Sequence, residues 1–195
     1  MMKSEIKIRF AKTEDAAELV KIYEPYVLET AITFEYDVPS AEEFARRIKN
    51  TQQKFPYLVA ECGGEIVGYA YAGSFVGRPA YDWAAEASIY LKQNKKKQGI
   101  GRKLYEALES VLRAMNICNL NACIGYPQAD DEYLTKNSVE FHAHLGYEMV
   151  GEFHKCGYKF GHWYNMVWME KMIGEHVDTP AAILNVNEIR REDYL

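Results

Sequence analysis

Lys96-Lys97-Gln98-Gly99-Ile100-Gly101-Arg102 stands between an apolar run, Ala84–Leu91, and a helical pattern that begins near Ile100. A glycine turn at a helix start leaves backbone N–H groups without intrahelical partners. With the positive end of the helix dipole, those donors suit a pyrophosphate. The local charge agrees. Lys92, Lys95, Lys96, Lys97, Arg102 and Lys103 form a basic island in a chain whose net charge is -5. Two glycines among lysines are also compatible with a plain solvated turn. No Gly-Lys-Ser/Thr follows, as a Walker A loop requires, and the third glycine of a dinucleotide fingerprint is missing. The position, after a strand in mid-sequence, also differs from a Rossmann first turn. From the residues alone, the motif reads as a site for a phosphate-bearing ligand.

Upstream, Ile6, Ile8 and Phe10 alternate with Lys7 and Arg9, the period of a half-buried strand. Thr13 is placed to cap a helix running to about Glu29, with Leu19, Ile22, Tyr23 and Tyr26 on one face and Pro25 as a kink or break. Ser40-Ala41-Glu42-Glu43 is a capping box for a second helix ending near Asn50. Tyr57–Cys62 and residues 66–74 are strands joined at Gly63-Gly64, a hairpin signal. Downstream, Leu104, Leu108, Val111, Leu112 and Met115 share a helical face. A strand at 120–124, a helix at 138–145 stopping at Gly146, and strands at 148–155 and 163–171 complete the pattern, with Gly157 and Gly161 between the last two. The order β-α-α-β-β-β-α-β-α-β-β predicts one α/β domain over 1–173 built on a mixed sheet. The polar segment 174–195 is expected outside the core, as a tail or a partner-binding arm.

Composition narrows the class. A chain of 195 residues, 48% hydrophobic and 26% charged, can bury one core. Its acidic balance argues against nucleic-acid binding. Cys62, Cys118, Cys123 and Cys156 form no Cys-x-x-Cys pair, so neither a zinc pattern nor a redox motif is expected, and no metal. Residues 1–10 alternate charged and apolar side chains without the apolar core of a signal peptide. No run approaches the ~18 apolar residues that span a bilayer. A soluble, cytoplasmic protein with reduced thiols is the expectation.

Lys96-x-x-Gly99-x-Gly101 resembles the Arg/Gln-x-x-Gly-x-Gly/Ala pyrophosphate loop of the GNAT N-acetyltransferase superfamily, with lysine in the first position. A set of further motifs resembles the phosphinothricin N-acetyltransferase branch in the branch's order. It comprises Ile22-Tyr23, Thr33-Phe34-Glu35, Gly68-Tyr69-Ala70-Tyr71-Ala72, Ala80-Tyr81-Asp82-Trp83, Glu86, Gly157-Tyr158-Lys159-Phe160-Gly161 and Trp163. The resemblance implies a GNAT fold, a sheet splayed where coenzyme A enters, and acetyl-CoA as co-substrate.

Site residues follow from both lines. Glu86 is a lone carboxylate in an apolar strand, where desolvation raises a pKa toward a useful range, and the resemblance makes it the general base. The resemblance gives Ile89, Tyr90 and Leu91 the pantetheine arm and an oxyanion donor. Tyr90 is equally compatible with a core role. Lys96, Lys97, Gln98, Gly99, Ile100, Gly101 and Arg102 are expected to hold the pyrophosphate. Asn137, in Asn137-Ser138-Val139-Glu140-Phe141-His142, falls where the superfamily contacts coenzyme A, and His142 falls near the departing thiolate, where a catalytic histidine hydrogen-bonds or protonates the sulfur. A structural role for His142 stays open. Arg78 matches an arginine that clamps the acid end of an amino-acid-like substrate, but Val76 stands where the branch carries another basic group. Phe34, Tyr81 and Trp83 are candidate pocket walls.

The function expected is acetyl transfer from acetyl-CoA to a small amine of the phosphinothricin or methionine sulfoximine type, by a homodimer. Three rivals remain: a protein N-terminal acetyltransferase, a non-catalytic coenzyme-A sensor, and a nucleotide-binding protein using the same turn.

Overall fold

The computed structural model describes residues 5–195. Residues 1–4, which entered the reading of the N-terminus, lie outside the described residues. Among the described residues, seven strands form one sheet in the order β1-β2-β3-β4-β5-β7-β6. They are β1 (Ile6–Phe10), β2 (Tyr57–Cys62), β3 (Glu65–Ser74), β4 (Ala84–Leu91), β5 (Asn119–Tyr126), β6 (Glu148–Lys159) and β7 (His162–Met172). Four helices, α1 (Ala16–Glu29), α2 (Ala41–Thr51), α3 (Ile100–Ala114) and α4 (Asn137–His144), cover the sheet. A mixed α/β fold is therefore what the chain adopts.

The two faces are packed by different residues. On one, Leu104, Leu108, Val111 and Leu112 of α3 lie with Leu58, Ala70, Ala85, Ala87 and Leu120 in the main core. On the other, Leu19, Ile22 and Tyr23 of α1 and Phe44 and Ile48 of α2 cover Tyr57, Val59 and Tyr69. Leu108 is fully buried. Replacing Leu108 by alanine is expected to cost about 2–5 kcal/mol through lost burial and a residual cavity. Urea denaturation should show a lower midpoint at unchanged slope.

Several local expectations need correction. Thr13 does not cap α1. Residues Thr13–Asp15 form a 3-10 turn, because the Asp15 carboxylate accepts the Lys12 N–H at 2.7 Å and pairs with Arg9. Pro25 lies inside α1 without ending it. Gly157 does not separate the last two strands. It lies within β6, where a Cβ would meet the Phe34 ring at 2.4 Å, and the turn falls at Phe160-Gly161, both at positive φ. Nor does the segment after Gly174 stay outside the core. Val186 is fully buried in it, and the Val186 N–H donates to the Lys54 carbonyl at 3.0 Å.

Candidate active site

The sheet divides between β4 and β5. These strands run parallel but pair only at Ala84–Asn119, Ala85–Leu120 and Glu86–Asn121. Each stays paired with its other neighbour, β4 with β3 and β5 with β7, beyond that point. The buried Asn121 side chain donates to the Ala85 carbonyl at 3.2 Å and fixes the last rung. Beyond it, a cleft of about 60 Å³ opens between 87–90 and 122–125, with Tyr105 and His142 among its lining.

Backbone direction in this cleft follows from register. Lys92 N–H donates to Val67 O, and hydrogen-bonded pairs alternate along an antiparallel ladder. Glu86, Ser88 and Tyr90 therefore exchange bonds with β3, while Ala87, Ile89 and Leu91 turn their peptide groups toward the side that β5 has left. Among the three expected backbone contacts, Ile89 thus faces the cleft. The Tyr90 backbone is committed to β3, and its ring packs edge-on to Tyr23 and Tyr26. Leu91 has both peptide groups engaged by the Tyr26 hydroxyl, which accepts its N–H at 3.3 Å and donates to its carbonyl at 2.7 Å.

Glu86 occupies the point of division. Its neighbours Ala85 and Ala87 point into the α3 core, so pleating turns Glu86 to the opposite face. Burial pushes its carboxyl above the usual carboxylate range. Directly across from it on β3 is Gly73, where an added Cβ would meet nothing within 4 Å. Space for a second molecule therefore adjoins the carboxylate. Cys123, also in the cleft, has its thiol pushed up to about 11 by partial burial and the nearby Glu86 carboxylate, which keeps it protonated although the residue is exposed at the surface.

The glycine turn has the backbone shape of an anion cradle. Lys97 and Gly99 take positive φ of 61° and 81°, with Gln98 between them. Lys103 N–H makes the first full-turn bond of α3 to Gly99 O, which leaves the N–H groups of residues 100–102 without intrahelical acceptors. Gly101 is buried, and a Cβ there would press on the Phe141 ring at 3.0 Å. Lys96 reaches over the Tyr26 ring at 5.2 Å, and Arg102 is exposed on the first turn. This donor set fits a pyrophosphate. Asn137 is exposed at the first residue of α4.

His142 is 3% exposed and has both nitrogens in use. Nδ1 lies 2.7 Å from the Ser138 carbonyl, which only accepts, so Nδ1 carries the proton. Nε2, 2.9 Å from the Tyr105 hydroxyl, is then the acceptor of that O–H. Burial lowers the imidazole from 6.5 to about 4. The unfolded chain therefore takes up a proton between those values that the folded one refuses. Stability should fall as pH drops from about 6.5 toward 4, by up to about 3 kcal/mol. Comparing urea midpoints of the wild type and His142→Gln across that window checks this, since the variant should lose that part of the slope.

The four expected pocket residues separate. Tyr81 and Trp83 line a cavity of about 530 Å³ on the Glu86 face, together with Ala84 and Asn121. Phe34 does not reach it; its ring lies against Gly157 and 6.4 Å from Tyr164. Arg78 is exposed, two residues before the lining residue Ala80. Sequence reasoning missed Asn121 and Tyr105. Asn121 carried the same signal as Glu86, a polar residue inside an apolar strand. Tyr105 carried none beyond a core position on α3.

A sheet splayed over a helix N-terminus, with a raised carboxyl at the split, defines an acyltransferase scaffold. Residues 8–168 match the family model described as an acetyltransferase (GNAT) domain, and the chain belongs to that family. It is 30% identical over 166 residues, 85% of this chain and 87% of the other, to phosphinothricin N-acetyltransferase of Streptomyces viridochromogenes. It is 29% identical over 180 residues, 90% and 99%, to the L-methionine sulfoximine/L-methionine sulfone acetyltransferase of Salmonella typhimurium. A GNAT superfamily phosphinothricin acetyltransferase from Sinorhizobium meliloti, solved in complex with AcCoA, superposes with a TM-score of 0.82 at 32% identity, over 90% of this chain and 93% of that one. The chain is an N-acetyltransferase, and acetyl-CoA is its co-substrate. Among the described residues, no helix is long and apolar enough to cross a membrane.

Proposed function

We propose that this chain acetylates the amine of a small amino-acid-like molecule by direct transfer, with Glu86 as the general base. One observation carries the reading: a carboxylate raised by burial at the last rung before the sheet divides, facing open space over Gly73. The turn 97–102 holds the pyrophosphate of acetyl-CoA, and its arm lies between β4 and β5. The acceptor approaches from the α1–α2 face. Glu86 takes the proton from the ammonium, directly or through one water, and the freed nitrogen attacks the thioester carbonyl. The Ile89 N–H is the fixed donor for the oxyanion. The departing thiolate lies on the His142 side; the Tyr105 O–H is committed to the neutral His142 ring and burial raises its pKa, so the thiolate takes its proton from solvent.

In the same reading the chain works as a cytoplasmic homodimer without nucleic-acid or membrane partners. The support for pairing is the exposure of large apolar side chains on β6 and β7, where Val150, Phe153 and Trp163 are 59%, 56% and 61% exposed.

The test incubates the chain with acetyl-CoA and a panel of free amino acids, methionine sulfoximine, phosphinothricin, polyamines and short peptides. Mass spectrometry should find acetyl on the nitrogen of amino-acid-sized acceptors. Product only on peptides would give the reading to a protein N-terminal acetyltransferase. Tight acetyl-CoA binding with no product would give it to a sensor.

A further inference from the structure

The 530 Å³ cavity beside Glu86 has a wall that comes from beyond the matched family model. The matched domain ends at 168, and residues Glu175, His176, Val177 and Pro180 close one side of the cavity. This segment is pinned along its length. Gly174 N–H donates to Cys118 O at 3.1 Å, His176 Nε2 is bonded to Asn119 Oδ1 at 2.7 Å, and Trp83 Nε1 donates to Ala181 O at 2.8 Å.

Aromatic side chains supply much of the remaining wall, namely Phe75, Tyr81, Trp83, Phe153 and Trp168, beside the amides Asn119 and Asn121. Phe75 meets Trp168 edge-on at 5.3 Å and Tyr81 at 6.2 Å. The charged residues among the described lining are Glu170 and Glu175, with no lysine or arginine. Ala84 and Asn121 in the lining are the neighbours of Glu86 along and across the sheet. Residues two apart on one strand are about 7 Å apart, roughly the span from an α-amine to the middle of an aromatic side chain. An acceptor with its amine at Glu86 therefore places its side chain in this cavity.

We infer that the cavity is an acceptor side-chain pocket selecting amines with a bulky apolar or aromatic group, and that residues 175–180 are its specificity wall. The inference rests on the acetyltransferase reading above. Apolar walls reward burial of such a group, whereas the Glu170 and Glu175 carboxylates repel an anionic one such as a phosphinate.

The experiment measures kcat/KM at saturating acetyl-CoA for tryptophan, phenylalanine, alanine and phosphinothricin. It uses the full chain and the variants Val177→Trp and Glu170→Gln with Glu175→Gln, each checked for thermal midpoint and acetyl-CoA affinity. Tryptophan or phenylalanine should exceed phosphinothricin by tenfold or more, within the range an apolar pocket supplies. Filling the pocket with Val177→Trp should lower the aromatic-to-alanine ratio about tenfold. Neutralising the two carboxylates should narrow the gap to phosphinothricin. A preference for phosphinothricin, or a Val177→Trp variant that keeps the wild-type ratio, overturns the inference while the acetyltransferase reading survives. Absence of turnover with every amine overturns both. If Val177→Trp is unfolded, competition by indole against alanine acetylation in the wild type decides: inhibition supports the pocket, and none at millimolar indole overturns it.

Discussion

Replacing Glu86 by glutamine is expected to lower kcat by about 10²–10⁴-fold, the usual contribution of a placed general base. The substitution keeps the size of the side chain and removes its basicity. Acetyl-CoA affinity should stay within a factor of two, because the pyrophosphate turn and the β4 backbone do not depend on the carboxylate. The pH profile supplies a second signature. Burial raises the Glu86 pKa, and only the deprotonated form accepts a proton. Wild-type kcat should therefore fall as pH is lowered, starting above the range of an ordinary carboxylate, and this acid limb should vanish in Glu86→Gln. Stopped-flow detection of released thiol across pH 4.5–8 (roughly the window that carboxylate bases occupy) reads both effects.

Replacing Gly99 by valine is expected to damage the donor site selectively. Gly99 stands at φ +81°, where a β-branched residue is strained, yet a Cβ there meets no neighbour within 4 Å. The cost is therefore conformational rather than steric, about 1–3 kcal/mol. If the turn relaxes away from the cradle geometry, that energy appears as a loss of acetyl-CoA affinity of roughly 5–150-fold. Thermal midpoint should move little in comparison, since Gly99 is exposed at the edge of the fold. Calorimetric titration of acetyl-CoA into both proteins measures it. The acceptor KM should be unchanged, which separates this turn from the opposite side of Glu86.

Much of the molecule was legible because its signals are local. The turn before α3, the capping box at Ser40, the hairpin at Gly63-Gly64 and the lone carboxylate in β4 each depend on a few neighbouring residues. Ser40 accepts the Glu43 N–H, and α2 begins at Ala41 as the box predicts. What escaped depends on distant partners. Gly157 reads as a turn until the Phe34 ring, more than a hundred residues away, is seen to need its missing Cβ. The segment from Gly174 on looks polar and unattached because its partners are the backbone carbonyls of Gln53, Lys54, Met115 and Cys118. His142 reads as a proton donor from its position, whereas its pairing with Tyr105 and Ser138 makes it neutral. Phe34 and Arg78 illustrate the same limit. A motif names the residue, but the loop between elements decides whether it reaches the cavity.

The central claim is direct transfer between two substrates held on either side of Glu86, without an acyl-enzyme. Cys123 is the cysteine in the cleft lining, and its raised thiol opposes its carrying an acetyl group. A rapid-quench single turnover with acetyl-labelled coenzyme A measures the claim most directly. The account predicts that label leaves coenzyme A and enters the amide at one rate, with none on the protein at any time. Label appearing first on the protein and then passing to the amine would contradict it.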